Sequence, residues 1–229
     1  MNRRLIMFIP RLYPILDAAF FPDASALLAA AEELASAGIT VIQYRNKSGN
    51  ARVMLEQARE LKRLFSSRSR NSHPVAQNAT RVGQPQHSVQ LIMNDRADLC
   101  LAAEFDGVHV GQDDLSPESV RQIIGPKRWL GVSTHNPEQL RDADLTSADY
   151  LAIGPVFVTS SKERPDPVVG LEGVRRGRAL TRKPLVAIGG ITRANAASVI
   201  EAGADSVAVI SDLLLEPRKS AEEFFGILR

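Results

Sequence analysis

Eight short apolar segments alternate with longer amphipathic segments along this chain, and this alternation limits the possible folds more than any other feature. Most of the short segments are rich in Val, Ile or Leu, which is typical of parallel strands buried on both faces. The predicted strands are Leu12–Leu16, Ile39–Tyr44, Gln90–Met93, Gly107–Val110, Leu130–Val132, Tyr150–Ile153, Leu185–Ile188 and Ser206–Ile210. The predicted helices are Ala24–Ala37, Ala51–Phe65, Arg96–Glu104, Ser116–Ile124, Pro137–Asp142, Leu171–Thr181, Ala194–Ala202 and Ser220–Leu228.

Strand–helix units in strict order predict an α/β fold, a (βα)8 TIM barrel of parallel strands. A length of 229 residues suits one such barrel, so we expect a single domain over residues 1–229. An open doubly wound sheet is the alternative, but its glycine-rich turn after the first strand is absent. At about residues 66–88 a run rich in Ser, Asn, Gln, Arg and Pro predicts a polar, flexible insertion.

The insertion follows a helix and precedes a strand, which places it on the barrel face opposite the catalytic mouth. An alternative interpretation is that Arg68, Arg70 and Arg81 in this insertion bind nucleic acid, but no aromatic residues for base stacking accompany them. The net charge of +2 favours neither nucleic acid nor an anionic membrane. We therefore expect partners of neither kind, and we leave open whether the chain forms a homo-oligomer.

The expected compartment is the cytoplasm. Cys100 is the single cysteine and cannot form an intramolecular disulfide, which fits a reducing environment. The run Leu5–Ile9 follows two arginines, as in a signal peptide, but Pro10 and Arg11 interrupt it and no small-residue cleavage site follows. We interpret this run as a lead-in to the first strand. No stretch reaches the roughly 20 apolar residues of a membrane span.

Polar and charged residues follow the predicted strands, at the ends where catalytic residues of barrels collect. Gln43, Arg45 and Lys47 are spaced two apart after the second strand, so an extended chain points all three in one direction. An amide, a guanidinium and an ammonium group together suit a polyanion. A solvated strand end is the alternative interpretation.

Two carboxylates follow the next two strands. Asp95 and Asp114 end neighbouring strands about 4.8 Å apart. Carboxylates completed by waters and phosphate oxygens form the usual Mg²⁺ site. Taken singly, each of them is better explained as a helix cap. Because the cationic cluster is expected beside them, we favour the interpretation that the two carboxylates share one Mg²⁺ ion.

Later loops supply hydroxyls. Ser133 follows the fifth strand and can donate a hydrogen bond to a substrate. A role in capping a helix or stabilising a turn is an equally good interpretation of this residue alone. His109, between Val108 and Val110, is interpreted as a residue of the barrel interior and not as a base. Neither His109 nor His135 has a partner at the spacing of a nucleophilic triad or a zinc site.

The stretch after the sixth strand, residues 154–170, is long and has no helical pattern. It contains Thr159, Ser160, Ser161 and Lys162, which suit a phosphate and a closing lid. A polar surface loop is the alternative.

Phosphate in barrels often binds after strands seven and eight, at backbone N–H groups and a helix N-terminus. Gly189–Thr192, with Gly190 at its centre, and the pair Ile210 and Ser211 stand there, with a tight glycine turn as the alternative. Two anion sites therefore emerge, and no nucleophile–base pair is visible. This pattern suits a reaction in which a diphosphate leaves and a second, monophosphorylated substrate attacks.

Taken in order, these motifs resemble bacterial thiamine-phosphate synthase from Tyr13 to Ser211. The matching segments are Gln43-x-Arg45-x-Lys47, Asn94-Asp95, Gly111-Gln112-x-Asp114, Gly131–His135, the loop from Gly154 through Lys162 to Gly173, Ala187–Ile191 and Val209–Ser211.

The resemblance implies a barrel enzyme that joins a hydroxymethylpyrimidine diphosphate to a thiazole phosphate by a dissociative, Mg²⁺-assisted transfer. The diphosphate substrate would be held by Gln43, Arg45, Lys47, Asn94, Ser133 and Lys162. Of these, the catalytic residues would be Arg45, Lys47, Ser133 and Lys162. Mg²⁺ would bind Asp95 and Asp114. The thiazole phosphate would be held by Thr159, Ser160, Ser161, Gly190, Ile210 and Ser211.

The chain departs from the family pattern at a few positions. Tyr44 replaces the usual Leu, Val158 a common Pro and Ser161 a common Thr, and the insertion is atypical. Two competing functions stay open, a thiazole-phosphate tautomerase-like paralogue and a non-enzymatic sensor of a phosphate ligand. Neither needs the diphosphate cluster together with the paired carboxylates, whose joint presence favours the synthase.

Overall fold

The computed structural model of the chain describes residues 9–70, 89–159 and 166–229. Eight parallel strands pair in chain order and β8 pairs with β1, so the barrel is closed. This confirms the (βα)8 prediction and rules out the open sheet. The strands are β1 Leu12–Asp17, β2 Val41–Arg45, β3 Gln90–Asn94, β4 Gly107–Val110, β5 Trp129–Thr134, β6 Tyr150–Ile153, β7 Leu185–Ile188 and β8 Ser206–Val209.

Helices follow the strands and cover the barrel. They are α1 Ala24–Ser36, α2 Ala51–Arg70, α3 Ala97–Ala102, α4 Pro117–Ile124, α5 Pro137–Asp144, α6 Gly170–Leu180, α7 Ala196–Glu201, α8 Ser211–Leu214 and α9 Pro217–Ile227. No helix in the described ranges is long and apolar enough to cross a bilayer.

Local sequence explains where several helices begin. The side chains of Asp23, Ser116 and Asn136 each accept a hydrogen bond from the backbone N–H three residues later, which satisfies an orphan donor of α1, α4 and α5. Pro117 and Pro137 occupy the first turns of α4 and α5, where proline loses no intrahelical bond.

Helix α2 ends later than predicted. It continues through residues 66–70, beyond the predicted end at Phe65. Those residues contain neither Pro nor Gly, so nothing in the sequence stops the helix there. The rest of the predicted insertion, residues 71–88, lies outside the described residues.

The apolar core has two parts. The larger part lies between the strands and the helices and includes the buried Cys100, whose thiol pKa burial raises to about 12. The smaller part fills the barrel interior with residues such as Ile15, Val41, Ile92 and Val186. The interior towards the carboxyl ends of the strands carries polar side chains instead, and it opens into the cavity described next.

Candidate active site at the barrel mouth

A cavity of about 990 Å³ opens at the carboxyl ends of the strands. It brings together all of the predicted site residues that the structure describes. These are Gln43, Arg45, Lys47, Asn94, Asp95, Asp114, Ser133, Thr159, Gly190, Ile210 and Ser211. The predicted residues Ser160, Ser161 and Lys162 lie outside the described residues.

The cations after β2 lie beside carboxylates. Arg45 forms an ion pair with Asp17, which is only 2% exposed and also accepts a hydrogen bond from the Ala19 backbone. Lys47, more exposed, forms an ion pair with Asp95. The expectation that Gln43, Arg45 and Lys47 point in one direction is met, because all three line the cavity.

Asp95 and Asp114 do not cap helices. The N-cap of α3 is Arg96, without a side-chain bond, and the N-cap of α4 is Ser116. Asp114 Oδ2 instead accepts from the Gly111 backbone N–H at 2.7 Å, within its own turn. The pairing of β3 with β4 brings the two carboxylates together.

The Asp95 charge affects the ionisation of Asp114. Burial raises the pKa of Asp114, and the nearby negative charge of Asp95 adds to the shift, while the Gly111 N–H and Lys47 oppose it. Asp95 also has a left-handed backbone with φ of 62°, a conformation rare outside glycine, although Asp and Asn tolerate it better than most residues. A cation bound beside these adjacent carboxylates would favour the ionised form of Asp114.

A polar network fills the barrel interior beneath the cavity. Gln43 Nε2 donates to the Tyr13 hydroxyl at 3.2 Å, and the hydroxyls of Tyr13 and Tyr150 are 2.8 Å apart. His109 Nδ1 lies 3.1 Å from the Tyr150 hydroxyl, and His109 Nε2 lies 2.8 Å from Ser133 Oγ. His109 therefore faces the interior as predicted, but it also forms a hydrogen bond with Ser133, one of the predicted substrate-binding residues.

Burial sets the protonation of this network. It lowers the pKa of His109 to about 4, against a smaller opposing effect of the Asp114 charge, so the imidazole is neutral at neutral pH. It raises the pKa of Tyr13 to about 12 and that of Tyr150 well above its usual value. The two phenols are therefore protonated.

The strand-six loop is joined to the turn after β7. Val156 N–H donates to the Ile188 carbonyl at 2.9 Å, and Phe157 N–H donates to the Gly189 carbonyl at 3.0 Å. Gly190 has φ of +63°, and a Cβ there would collide with the Val158 carbonyl oxygen. Glycine at this position lets the loop backbone approach the turn closely.

The turn after β7 leads into α7, which begins two residues later than the predicted start at Ala194. Asn195 closes it by accepting from the Thr192 N–H and donating to the Gly190 carbonyl, and α7 begins only at Ala196. The helix that begins at the cavity is α8, whose first residue is Ser211. Arg193 joins the two segments, because its backbone N–H and its guanidinium both donate to Asp212.

Several residues of the cavity were not predicted from the sequence as site residues. Tyr13 and Tyr150 line it, and so does His135, whose Nδ1 lies 2.7 Å from the Gly154 carbonyl and 3.6 Å from Asp166. His135 thus has an acidic neighbour that sequence spacing did not reveal. The only available signal for the tyrosines was the placement of a polar aromatic in an otherwise apolar strand.

Comparisons with known proteins show which family the chain resembles. A family model described as "Thiamine monophosphate synthase" matches residues 12–79 and 66–213. The chain is 55% identical over 223 residues to a thiamine-phosphate synthase of Koribacter versatilis (strain Ellin345), covering 96% of each chain. It is 43% identical over 201 residues to that of Chloroflexus aurantiacus, covering 88% of this chain and 83% of the relative. The solved structure of thiamine phosphate pyrophosphorylase from Pyrococcus furiosus aligns with a TM-score of 0.77 at 29% identity, covering 95% of both chains.

Proposed function

The chain belongs to the thiamine monophosphate synthase family, and we propose that it joins 4-amino-2-methyl-5-hydroxymethylpyrimidine diphosphate to 4-methyl-5-(2-hydroxyethyl)thiazole phosphate. The products are thiamine monophosphate and diphosphate, which makes the protein a transferase. The observation that carries the proposal is one cavity with two different walls. One wall holds cationic side chains and paired carboxylates, and the other holds backbone turns suited to a monophosphate.

On the first wall, Arg45 and Lys47 bind the diphosphate, with Gln43, Asn94, Ser133 and Lys162 completing the contacts to this substrate. The guanidinium can bond two phosphate oxygens at once, and the ammonium contributes a point charge. Both cations already lie beside carboxylates, so the positive charge of this wall is held in place before substrate arrives.

Asp95 and Asp114 fit Mg²⁺ on this same wall. The described residues contain no cluster of three or more acidic, His or Cys side chains that would form a complete protein cage. Mg²⁺ is usually bound by one or two protein carboxylates together with waters and substrate phosphate oxygens, and Asp95 and Asp114 would supply those carboxylates. A bound ion would supply positive charge to neutralise the departing diphosphate.

The chemistry is dissociative. The bond from the pyrimidine methylene carbon to the diphosphate oxygen breaks, and its electron pair leaves with the diphosphate. The lone pair of the thiazole nitrogen then forms the new carbon–nitrogen bond. Arg45, Lys47 and Lys162 stabilise the charge that develops on the leaving oxygen, and such electrostatic stabilisation requires no nucleophile–base pair.

The second wall positions the attacking substrate. Gly190, Ile210 and Ser211 bind the thiazole phosphate through backbone N–H groups and a hydroxyl, and Thr159, Ser160 and Ser161 contribute further contacts to it. The Arg193–Asp212 contacts hold the β7 turn against α8, so these donors are fixed relative to one another.

The test is a product assay with purified protein, both substrates and Mg²⁺. We expect thiamine monophosphate and diphosphate in equal amounts, loss of both with EDTA, and recovery with excess Mg²⁺. Reactions that lack one substrate are the controls. A tautomerase-like paralogue would convert the thiazole phosphate without releasing diphosphate, and a sensor would bind without turnover. Absence of thiamine monophosphate with both substrates saturating would refute the proposal.

A further inference from the structure

We propose that a directed hydrogen-bond chain through the barrel interior fixes the Ser133 hydroxyl as a donor into the cavity, with Tyr150 and His109 as positioning residues. The chain runs from Gln43 through Tyr13, Tyr150 and His109 to Ser133. Its consequence for catalysis rests on the proposed function, whereas its direction does not.

The arrangement is built into the barrel. Bulky apolar side chains normally fill this interior. Here Gly131 leaves the room that the network needs, because a Cβ at Gly131 would collide with Tyr150 Cζ, the Tyr150 hydroxyl and His109 Nδ1. The Tyr150 ring also packs against the rings of Tyr13 and His109, with centroids 5.9 and 5.4 Å away. The three rings are therefore held both by packing and by hydrogen bonds.

The number of protons on each group determines which partner donates at each step of the hydrogen-bond chain. Gln43 Nε2 can only donate, so the Tyr13 oxygen accepts from it and the single Tyr13 proton is left for Tyr150. If Tyr150 donated to Tyr13 instead, the buried Tyr13 proton would have no acceptor among the partners found in the described ranges. A buried donor without a partner is destabilising, so the direction from Gln43 towards Ser133 is favoured.

The remaining protons follow from this first step. Tyr150 uses its proton to donate to His109 Nδ1, so the neutral imidazole carries its proton on Nε2. Nε2–H donates to Ser133 Oγ, and the Ser133 proton is then free for a ligand. Ser133 lines the cavity, so its hydroxyl selects a group with an exposed lone pair, such as a ring nitrogen of the pyrimidine substrate.

The direction is tested without any activity measurement. In protein labelled with ¹⁵N-histidine, a long-range ¹H–¹⁵N spectrum at neutral pH reports which ring nitrogen of each histidine is protonated. The protein has four histidines, and the His109 signals are assigned by their loss in the variant His109→Gln. We expect a protonated Nε2 and a bare Nδ1. A proton on Nδ1, or on both nitrogens, would overturn the inference.

The positioning role is tested by a double-mutant cycle between Tyr150→Phe and Ser133→Ala. Tyr150→Phe keeps the ring but removes the proton donated to His109, and we expect kcat/KM for the diphosphate substrate to fall about fivefold to tenfold. In the Ser133→Ala background the same change should matter less than about twofold, because the two residues act as one unit.

Tyr44→Phe is the matched control, since it also removes a buried tyrosine hydroxyl, one that bonds Gln57 on the outer side of the barrel. Its effect should be the same in the wild-type and Ser133→Ala backgrounds. If Tyr150→Phe is equally independent of Ser133, the ring has only a structural role and the positioning proposal fails. If wild-type protein forms no product, the proposed function fails, and the NMR result still decides the direction of the chain.

Discussion

Asp95 illustrates how one residue admits two roles until its backbone and neighbours are known. In the sequence it stands before a helix, where capping is the more common function. In the structure its left-handed backbone directs it away from the α3 cap, towards Lys47 and Asp114. A backbone conformation that costs free energy and serves no capping role is typical of functional sites.

The first prediction concerns this carboxylate. Asp95→Asn retains a residue type that tolerates the left-handed backbone but removes one charge. We expect kcat to fall by about 10²-fold or more, since one preorganised electrostatic group is lost. The Mg²⁺ concentration that gives half-maximal rate should also rise. Asp113→Asn, a neighbouring carboxylate at the same cavity, is the control and should change neither quantity greatly. Normal turnover with unchanged Mg²⁺ dependence in Asp95→Asn would exclude the metal assignment.

The second prediction concerns His109 and acid. Its pKa falls from 6.5 to about 4 on folding because burial disfavours the imidazolium. Between these values the unfolded chain binds a proton and the folded chain does not, so stability is full above pH 6.5 and is lost as pH falls. Protonation of His109 in the unfolded chain should lower the free energy of unfolding by about 2 kcal/mol between pH 7.5 and pH 5.

Urea unfolding in EDTA at the two pH values, for wild type and His109→Gln, measures this contribution. The variant should lose less stability than wild type over the same interval, by about the 2 kcal/mol assigned to His109. Equal losses in the two proteins would mean that His109 titrates normally in the folded state.

At the scale of secondary-structure elements, the sequence predicted most strands to within a residue or two but missed two short helical turns. Four-residue α8 and the 3₁₀ turn Ala18–Phe20 are too short to show an apolar period. The start of α7 was predicted two residues early, at Ala194, because the turn before it is closed by an Asn195 side-chain bond that no periodicity records. These segments all lie near the mouth, where loops and not periodic elements build the site.

The third prediction concerns the β7 turn. Gly190→Ala places a methyl group against the Val158 carbonyl and should displace the strand-six loop. We expect KM for the thiazole phosphate to rise about tenfold, the effect of losing one to two hydrogen bonds. Gly125→Ala is the matched control, because Gly125 also has positive φ but open space around it. It should cost stability of about 1–2 kcal/mol and leave KM unchanged. Similar KM values in the two variants would contradict the role of the turn.

The fourth prediction concerns the opposite wall, at β2. Arg45→Gln alone would leave Asp17 buried without its cation, so the variant Arg45→Gln/Asp17→Asn replaces the ion pair by two neutral amides. We expect kcat/KM for the pyrimidine diphosphate to fall by about 10²-fold, the scale of losing a charged contact. KM for the thiazole phosphate should stay near its original value. Steady-state kinetics with the other substrate saturating makes the comparison, and impaired binding of the thiazole phosphate alone would refute the two-wall assignment.

At the scale of the whole molecule, barrel closure was predictable because strict alternation of strands and helices leaves few topologies. The wall residues were predictable because most of them lie at or shortly after the carboxyl end of a strand. The interior network was not, since Tyr13 and Tyr150 are 137 residues apart and meet only when the barrel closes. The role of Gly131 was not predictable from the sequence either, because its small size matters only next to side chains from two neighbouring strands.

The last prediction concerns residues 71–88 and follows from topology. The described chain leaves α2 at Arg70 and re-enters the barrel at β3, whose amino end starts at Gln90. The cavity lies at the carboxyl ends of the strands, so both attachment points belong to the opposite face. Replacing residues 71–88 by a short Gly/Ser linker should therefore leave kcat and both KM values within about twofold, because connections away from the catalytic face tolerate such change.

The melting temperature, measured on the same preparation, separates loss of function from loss of fold. A large fall in kcat at an unchanged melting temperature would mean that the segment reaches an active site, its own or that of a second copy. Comparing activity at several protein concentrations would then distinguish these two cases, because only a contribution from a second copy depends on association.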